Sequence, residues 1–240
     1  MKELSAAWLL DAWERYYGEP DQRSAVTLLE DAADPADDPV FFLDLPVGER
    51  DRRLMELRER LFGSSLLTAL ACGSCGESME MAFRLAAVQA SSGHASTPMV
   101  ASIAGQDIRF RLPTTRDLLA VADAADVESA RRELVRRCAV DADVDALASL
   151  RDADIEAIEA VMERADPQAD VQLESTCTAC GAPVSAPFDI LAQLRAELDA
   201  WARRTLYEVA SLAGSFGWAE RDILAMSAWR RQAYLRAAGA

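Results

Sequence analysis

The sequence predicts an α+β protein, mostly helical, in which a four-cysteine zinc site staples a small β core. Helical lobes are expected before, inside and after that core. Three observations carry this. Four of the five cysteines fall in two matched pairs, Cys72-Gly73-Ser74-Cys75-Gly76 and Cys177-Thr178-Ala179-Cys180-Gly181. Short alternating stretches flank the pairs, whereas elsewhere apolar residues recur at the +3 and +4 spacing of a helix. The chain has 240 residues, 51% of them hydrophobic, enough to bury a core unaided.

A two-residue gap lets both thiolates of a pair reach one metal ion, and the following glycine can take positive φ and turn backbone N–H groups towards the sulfurs. The pairs therefore read as two zinc knuckles whose ligands, Cys72, Cys75, Cys177 and Cys180, complete one tetrahedral site. Between Cys75 and Cys177 lie 101 residues, far more than the ~15–20 of a compact zinc ribbon. Closing such a span removes roughly 4–5 kcal/mol of chain entropy from the unfolded state. Zinc binding, on the order of 10 kcal/mol, exceeds that. Three alternatives stand beside one intramolecular structural zinc. A redox pair would open a helix, but the first pair leads into alternating Ser78–Leu85 and the second into Pro-bearing 182–187. Half-sites could be completed between chains, or the thiols could form disulfides. Cys138, late in a helical stretch, is expected to be a buried core thiol.

From the N-terminus, residues 5–17 read as an amphipathic helix with Leu10, Trp13 and Tyr17 on one face and Gly18 at its end. Asp21 can cap a second helix, and residues 30–39 form an acidic, Pro-punctuated loop. A third helix runs from about 48 to 62 and ends at Gly63. Leu66 to Ala71 is a strand into the first pair, and Ser78–Leu85 is a strand out of it. Residues 90–106 read as a connection, 107–113 as a strand stopped by Pro113, and 114–166 as acidic and helical. Val171 to Thr176 leads into the second pair. A long helix from Phe188 carries Leu191, Leu194, Leu198 and Trp201, then shifts its stripe to Leu206, Val209 and Leu212; Gly214 and Gly217 are expected to break it. Residues 218–226 and 227–238 make two short helices, with Ser227 as an N-cap. The domains follow: an N-terminal helical lobe over 1–63, the zinc-bound β core over 64–112 plus 170–187, an acidic helical insertion over 113–169, and a C-terminal helical lobe over 188–240.

Forty Asp and Glu against 25 Lys and Arg give a net charge of −15. Nucleic-acid affinity rests on phosphate neutralisation, so this chain is a poor candidate for a DNA or RNA binder. Residues 188–240, with a helix–turn–helix rhythm, hold seven Arg against six acids, too little for a DNA-reading module. Their Trp201, Trp218, Trp229 and Tyr234 read as bundle core and their arginines as solvated. Asp141 to Asp152 resembles a calcium loop but lacks its turn glycine and closing Glu, so helix-start capping explains the acids better. The one histidine, His94, reads as a surface residue. No phosphate loop, nucleophile elbow or HExxH occurs, and no catalytic residues are assigned. No apolar run reaches the ~18 residues of a membrane span, and Met1-Lys2-Glu3-Leu4 lacks a basic leader flank. The expectation is a cytoplasmic protein.

Several segments together resemble a known group. Gly48-Glu49-Arg50-Asp51, Leu57-Arg58-Glu59 and Phe62-Gly63 lead into the first knuckle; Phe110-Arg111-Leu112-Pro113-Thr114 with Asp117-Leu118 precedes the second. Glu208-Val209-Ala210, Phe216-Gly217-Trp218, Asp222-Ile223-Leu224, Arg230-Arg231 and Tyr234-Leu235 follow. This order is similar to zinc-knuckle proteins of contractile phage tails and phage-like injection systems, themselves similar to T4-type baseplate hub assembly chaperones. Gly73 stands where many relatives carry Pro, which leaves the ligands intact. The resemblance implies a non-catalytic structural or assembly role, one structural Zn2+, baseplate or tail proteins as partners, no small-molecule substrate, and incorporation in a tail particle as one location. The alternative function is a zinc-containing nucleic-acid-binding or regulatory protein using the C-terminal helices.

Overall fold

A computed structural model describes residues 4–19, 21–34, 42–90, 98–103, 106–141, 147 and 149–239. It is the α+β, mostly helical arrangement expected, with small antiparallel sheets among many helices. The chain divides into two compact units, residues 1–39 with 191–240, and residues 40–190.

In the first unit, α1 (Ala6–Tyr16) starts where the Ser5 side chain accepts from the Trp8 N–H, and α2 (Asp21–Ala32) follows. The long helix α7 (Ile190–Phe216) returns to this unit. Its buried positions Leu191, Leu194, Leu198, Ala202, Thr205, Val209 and Leu212 keep one unbroken stripe of +3 and +4 steps. The expected shift of phase therefore does not occur: Thr205 takes the buried place and Leu206 turns outward. Gly214 does not break the helix either; it ends at Phe216, where Gly217 takes φ +69° and donates to the Ala213 carbonyl at 2.8 Å. Then come α8 (Glu220–Leu224) and α9 (Ala228–Ala238), the latter capped by Ser227 as expected. Leu10 packs with Ala202, Leu212, Ile223 and Leu235, and Trp13, Trp201, Trp218 and Tyr234 lie against that core. Trp229 does not: it is 77% exposed. Arg231 is not solvated but buried, its Nε donating to Glu208 at 2.8 Å and its Nη1 to the Met226 carbonyl.

In the second unit, α3 (Val47–Phe62) begins after Pro46. Its Gly48 N–H donates to an Asp166 carboxylate oxygen at 2.9 Å, and a Cβ on Gly48 would run into that carboxylate. Two hairpins follow. β1 (Ser65–Ala71) pairs with β2 (Ser78–Arg84), Ala71 opposite Ser78. β3 (Met99–Ile103) pairs with β4 (Gln106–Phe110), Met99 opposite Phe110. β3 lies inside the stretch that reads as a mere connection in the sequence, because its Ser- and Ala-bearing composition hides a five-residue strand. The helical stretch after Pro113 resolves into α4 (Thr115–Val121), α5 (Val127–Cys138) and α6 (Asp152–Ala165). Ile103, Ile108 and Phe110 of the hairpin pack with Val135, Cys138, Ile155, Ile158 and Met162 of these helices. Cys138 is the buried thiol expected, and burial pushes its pKa up to about 12. A third hairpin, β5 (Gln172–Thr176) with β6 (Pro183–Pro187), holds the second cysteine pair.

At the start of α6 the Asp154 carboxylate accepts from the Arg151 N–H at 2.9 Å, the capping role read for the acids there. Half of the calcium-like stretch, and His94, lie outside the described residues, as do positions 35–39 of the acidic loop.

Candidate metal centre

Each cysteine pair occupies the tight connection of a two-stranded hairpin, and the two connections are built alike. In the first, the Cys72 N–H donates to the Glu77 carbonyl at 2.8 Å and the Gly76 N–H to the Cys72 carbonyl at 2.8 Å. In the second, Cys177 donates to Ala182 at 2.8 Å and Gly181 to Cys177 at 2.9 Å. Gly76 and Gly181 hold φ of +77° and +75°, which a side chain would strain. The shared CxxCG pattern therefore has one local cause: the glycine lets the chain reverse around the first sulfur and re-enter the ladder.

The hairpins share a small core. Leu70 and Met79 of the first pack with Leu173 and Val184 of the second, and Cys72 and Cys177 are buried among them. Phe83 meets Phe188 edge to face at 5.5 Å. The Thr178 N–H points at the Met79 sulfur at 3.4 Å. This packing brings residues 72 and 180 of the sequence side by side.

The four sulfurs of Cys72, Cys75, Cys177 and Cys180 lie within 4.8 Å of one another. Cys72 meets Cys180 at 3.7 Å, and Cys75 meets Cys177 at 3.7 Å. A regular tetrahedron with Zn–S bonds of ~2.3 Å has S···S edges of about 3.8 Å, so the donor set fits a tetrahedral thiophilic ion. Cys75 and Cys180 remain exposed while Cys72 and Cys177 are buried. All four predicted site residues thus converge within one chain.

The electrostatics of the cluster are uneven. N–H groups of Cys75 and Ser74 aim at the Cys72 sulfur and lower its pKa to about 6. At Cys75 the Glu77 N–H lowers the pKa, but the neighbouring Cys180 and Cys177 sulfurs outweigh it and push it up to about 12. At Cys180 the Ala182 N–H and Cys75 favour the thiolate, yet crowding by Cys177, burial and Cys72 leave the pKa raised. Four thiolates this close repel one another. A divalent cation bound among them would relieve that repulsion.

Other residues singled out in the sequence serve the frame. Arg111 holds Asp117 through two bonds of 2.5 and 3.0 Å, Arg137 adds a third at 3.0 Å, and Thr114 donates through both its N–H and its hydroxyl. The Gln168 side chain was missed in the sequence. Its oxygen accepts from the Ala90 N–H at 2.8 Å, and its nitrogen points to the Val88 carbonyl and the Met55 sulfur. A lone glutamine in a polar stretch carries no periodic signal that could have revealed it.

Among the described residues no helix is long and apolar enough to cross a membrane. No curated protein and no solved structure matches the chain. A family model described as "T4 bacteriophage base plate protein" matches residues 19–192, a span that contains all four clustered cysteines and stops near the start of α7. A match over most of the 240 residues shows the family, and the chain belongs to the T4 bacteriophage base plate protein family.

Proposed function

We propose that this chain is a non-catalytic structural or assembly protein of a phage-like contractile tail base plate, stapled by one Zn2+ on Cys72, Cys75, Cys177 and Cys180. The observation that carries the reading is the convergence of these four sulfurs, from hairpins far apart in sequence, in a member of a base plate family. With four thiolates the coordination sphere is full, leaving no open position for water or substrate, so the metal supplies structure.

The mode of action is docking to base plate or tail proteins. Trp and Arg dominate binding hot spots, and Trp229 stands exposed beside Arg230 on α9, which Ser227 caps. The large negative charge favours solubility before assembly and steers the chain towards basic partner surfaces. The assembly role is the one the resemblance to hub assembly chaperones implies.

The test is to tag the chain in its host and ask whether it sediments with purified tail particles, alongside metal analysis of the purified protein. Fixed stoichiometry in particles makes it a structural component. Co-purification with soluble base plate proteins alone makes it an assembly factor. Association with neither, together with DNA binding that falls steeply with salt, transfers the assignment to the nucleic-acid alternative.

A further inference from the structure

The cysteine cluster is arranged for a second chemistry. Both 3.7 Å sulfur contacts, Cys72 to Cys180 and Cys75 to Cys177, run between the hairpins. Each joins a buried thiol to an exposed one. At that separation, once one sulfur of a contact carries a mixed disulfide, the other stands within reach to resolve it. The shared core of Leu70, Met79, Leu173 and Val184 keeps the two hairpins in register while the sulfurs react.

We propose that, when the metal is lost in the presence of a low-molecular-weight disulfide, the cluster closes into two disulfides, Cys72–Cys180 and Cys75–Cys177. This step rests on the cysteine cluster of the reading above and replaces one staple by another. For each pair, the sulfur of one cysteine attacks the S–S bond of oxidised glutathione. A mixed disulfide forms, and one glutathione leaves as the thiol with the cysteine's proton. The partner cysteine then attacks the protein sulfur of that mixed disulfide, the protein S–S bond forms, and the second glutathione leaves as thiol. Two protein thiols are oxidised, one oxidised glutathione is reduced to two thiols, and no further reactant is needed.

The choice of partner decides the consequence. Closure inside a CxxC would tie off one tight turn and leave the hairpins unjoined. Closure between hairpins links residues 108 and 102 positions apart in sequence, the same connection the metal would make. Such a staple survives passage from a reducing compartment to an oxidising one.

The test uses the full-length chain treated with EDTA and oxidised glutathione, blocked with iodoacetamide and digested with trypsin without reductant. Cleavage after Arg60, Arg84, Arg164 and Arg195 puts the first pair in residues 61–84 and the second in 165–195. The expected product is these two peptides linked to each other, from a protein whose melting temperature falls by about 10 °C when a phosphine reductant is added. Two separate peptides, each with an internal disulfide or with free thiols, overturn the proposal. Paired variants fix the partners. Cys75→Ser with Cys177→Ser leaves Cys72 and Cys180, which cross-link. Cys72→Ser with Cys180→Ser leaves Cys75 and Cys177, which cross-link likewise; failure of either pair, or fragmentation of the native product that places the bonds Cys72–Cys177 and Cys75–Cys180, overturns the assignment. Zinc uptake of one ion per chain with only internal disulfides overturns this inference and leaves the metal reading standing. Linked hairpins in a chain that takes up no zinc do the reverse.

Discussion

Asp117 shows how single residues in this chain work as supports. Burial opposes its ionisation, but bonds from Arg111 and Thr114 win, and its pKa is pulled down to about 2. A carboxylate whose folded pKa lies below its unfolded value of about 4 contributes stability above pH 4, and that contribution is lost as pH falls towards 2. Asp117→Asn should therefore cost about 2 kcal/mol at pH 7 and little at pH 2, read by urea melts across that range. Asp51 has the opposite sign. Burial outruns the attraction of Arg50, 2.7 Å away, and raises its pKa to about 6. Its ionisation costs stability, so the chain loses about 2–3 kcal/mol as pH rises from 4 to 6. Asp51→Asn should flatten that limb of the stability–pH curve; a limb of unchanged slope would show that another group is responsible. The Glu208–Arg231 pair, 6% and 4% exposed at its side chains, is of a third kind. Removing one member leaves a buried charge alone, and Glu208→Ala should destabilise the folded chain by roughly 3–5 kcal/mol in a denaturant titration.

At the scale of elements, periodicity was the most readable signal. α3, α7 and the strands β1, β2 and β5 appear close to the limits that spacing predicts, whereas β6 forms where the sequence shows only a Pro-bearing stretch. Two errors share one physical origin. Large residues alone predict an apolar stripe of α7 with Leu206 inward, whereas the structure buries the smaller Ala202 and Thr205. Likewise β3 has few bulky β-formers and owes its strand to pairing with β4 and cover from the insertion helices. The acids near the α6 start are half legible: Asp154 caps, as its position three residues into the helix implies. α9 is the element on which docking is proposed to depend. Trp229→Ala should leave the melting temperature within about 2 °C, because an exposed side chain contributes little to the fold. It should nevertheless weaken co-sedimentation with tail or base plate proteins by about tenfold or more. Loss of folding instead, seen by circular dichroism, would mean that Trp229 is structural.

For the whole molecule, the cysteine cluster is the feature that reaches furthest along the sequence, and it lies wholly within the compact unit of residues 40–190. If a metal staples it, chelation should lower the melting temperature by about 10 °C or more, and hydrogen exchange in β1, β2, β5 and β6 should accelerate first. Cys72→Ser or Cys177→Ser should reproduce that loss without chelator, since each removes a buried sulfur of the cluster. Retention of full stability by either variant would remove the staple. The oxidised, zinc-free chain should lie between the two limits, nearer the metal-bound one, because a covalent link restrains the same long loop.

The sequence by itself determined the fold class, the four cysteines that cluster and the reversal at each turn. These follow from local rules: a CxxC spacing, a glycine free to take positive φ, and alternation in the flanking strands. The family emerged from the order of short motifs spread along the chain. Only the tertiary structure decided which motif residues support one another. Gly48 meets Asp166, Arg111 meets Asp117 and Arg231 meets Glu208 through packing of elements whose distance in sequence carries no periodic signal. It also decided that Trp229 is exposed while Arg231 is buried, against the usual preference of each side chain. An arginine can be buried where a carboxylate and a carbonyl await it, and no property of the α9 sequence announces that Glu208 will be there.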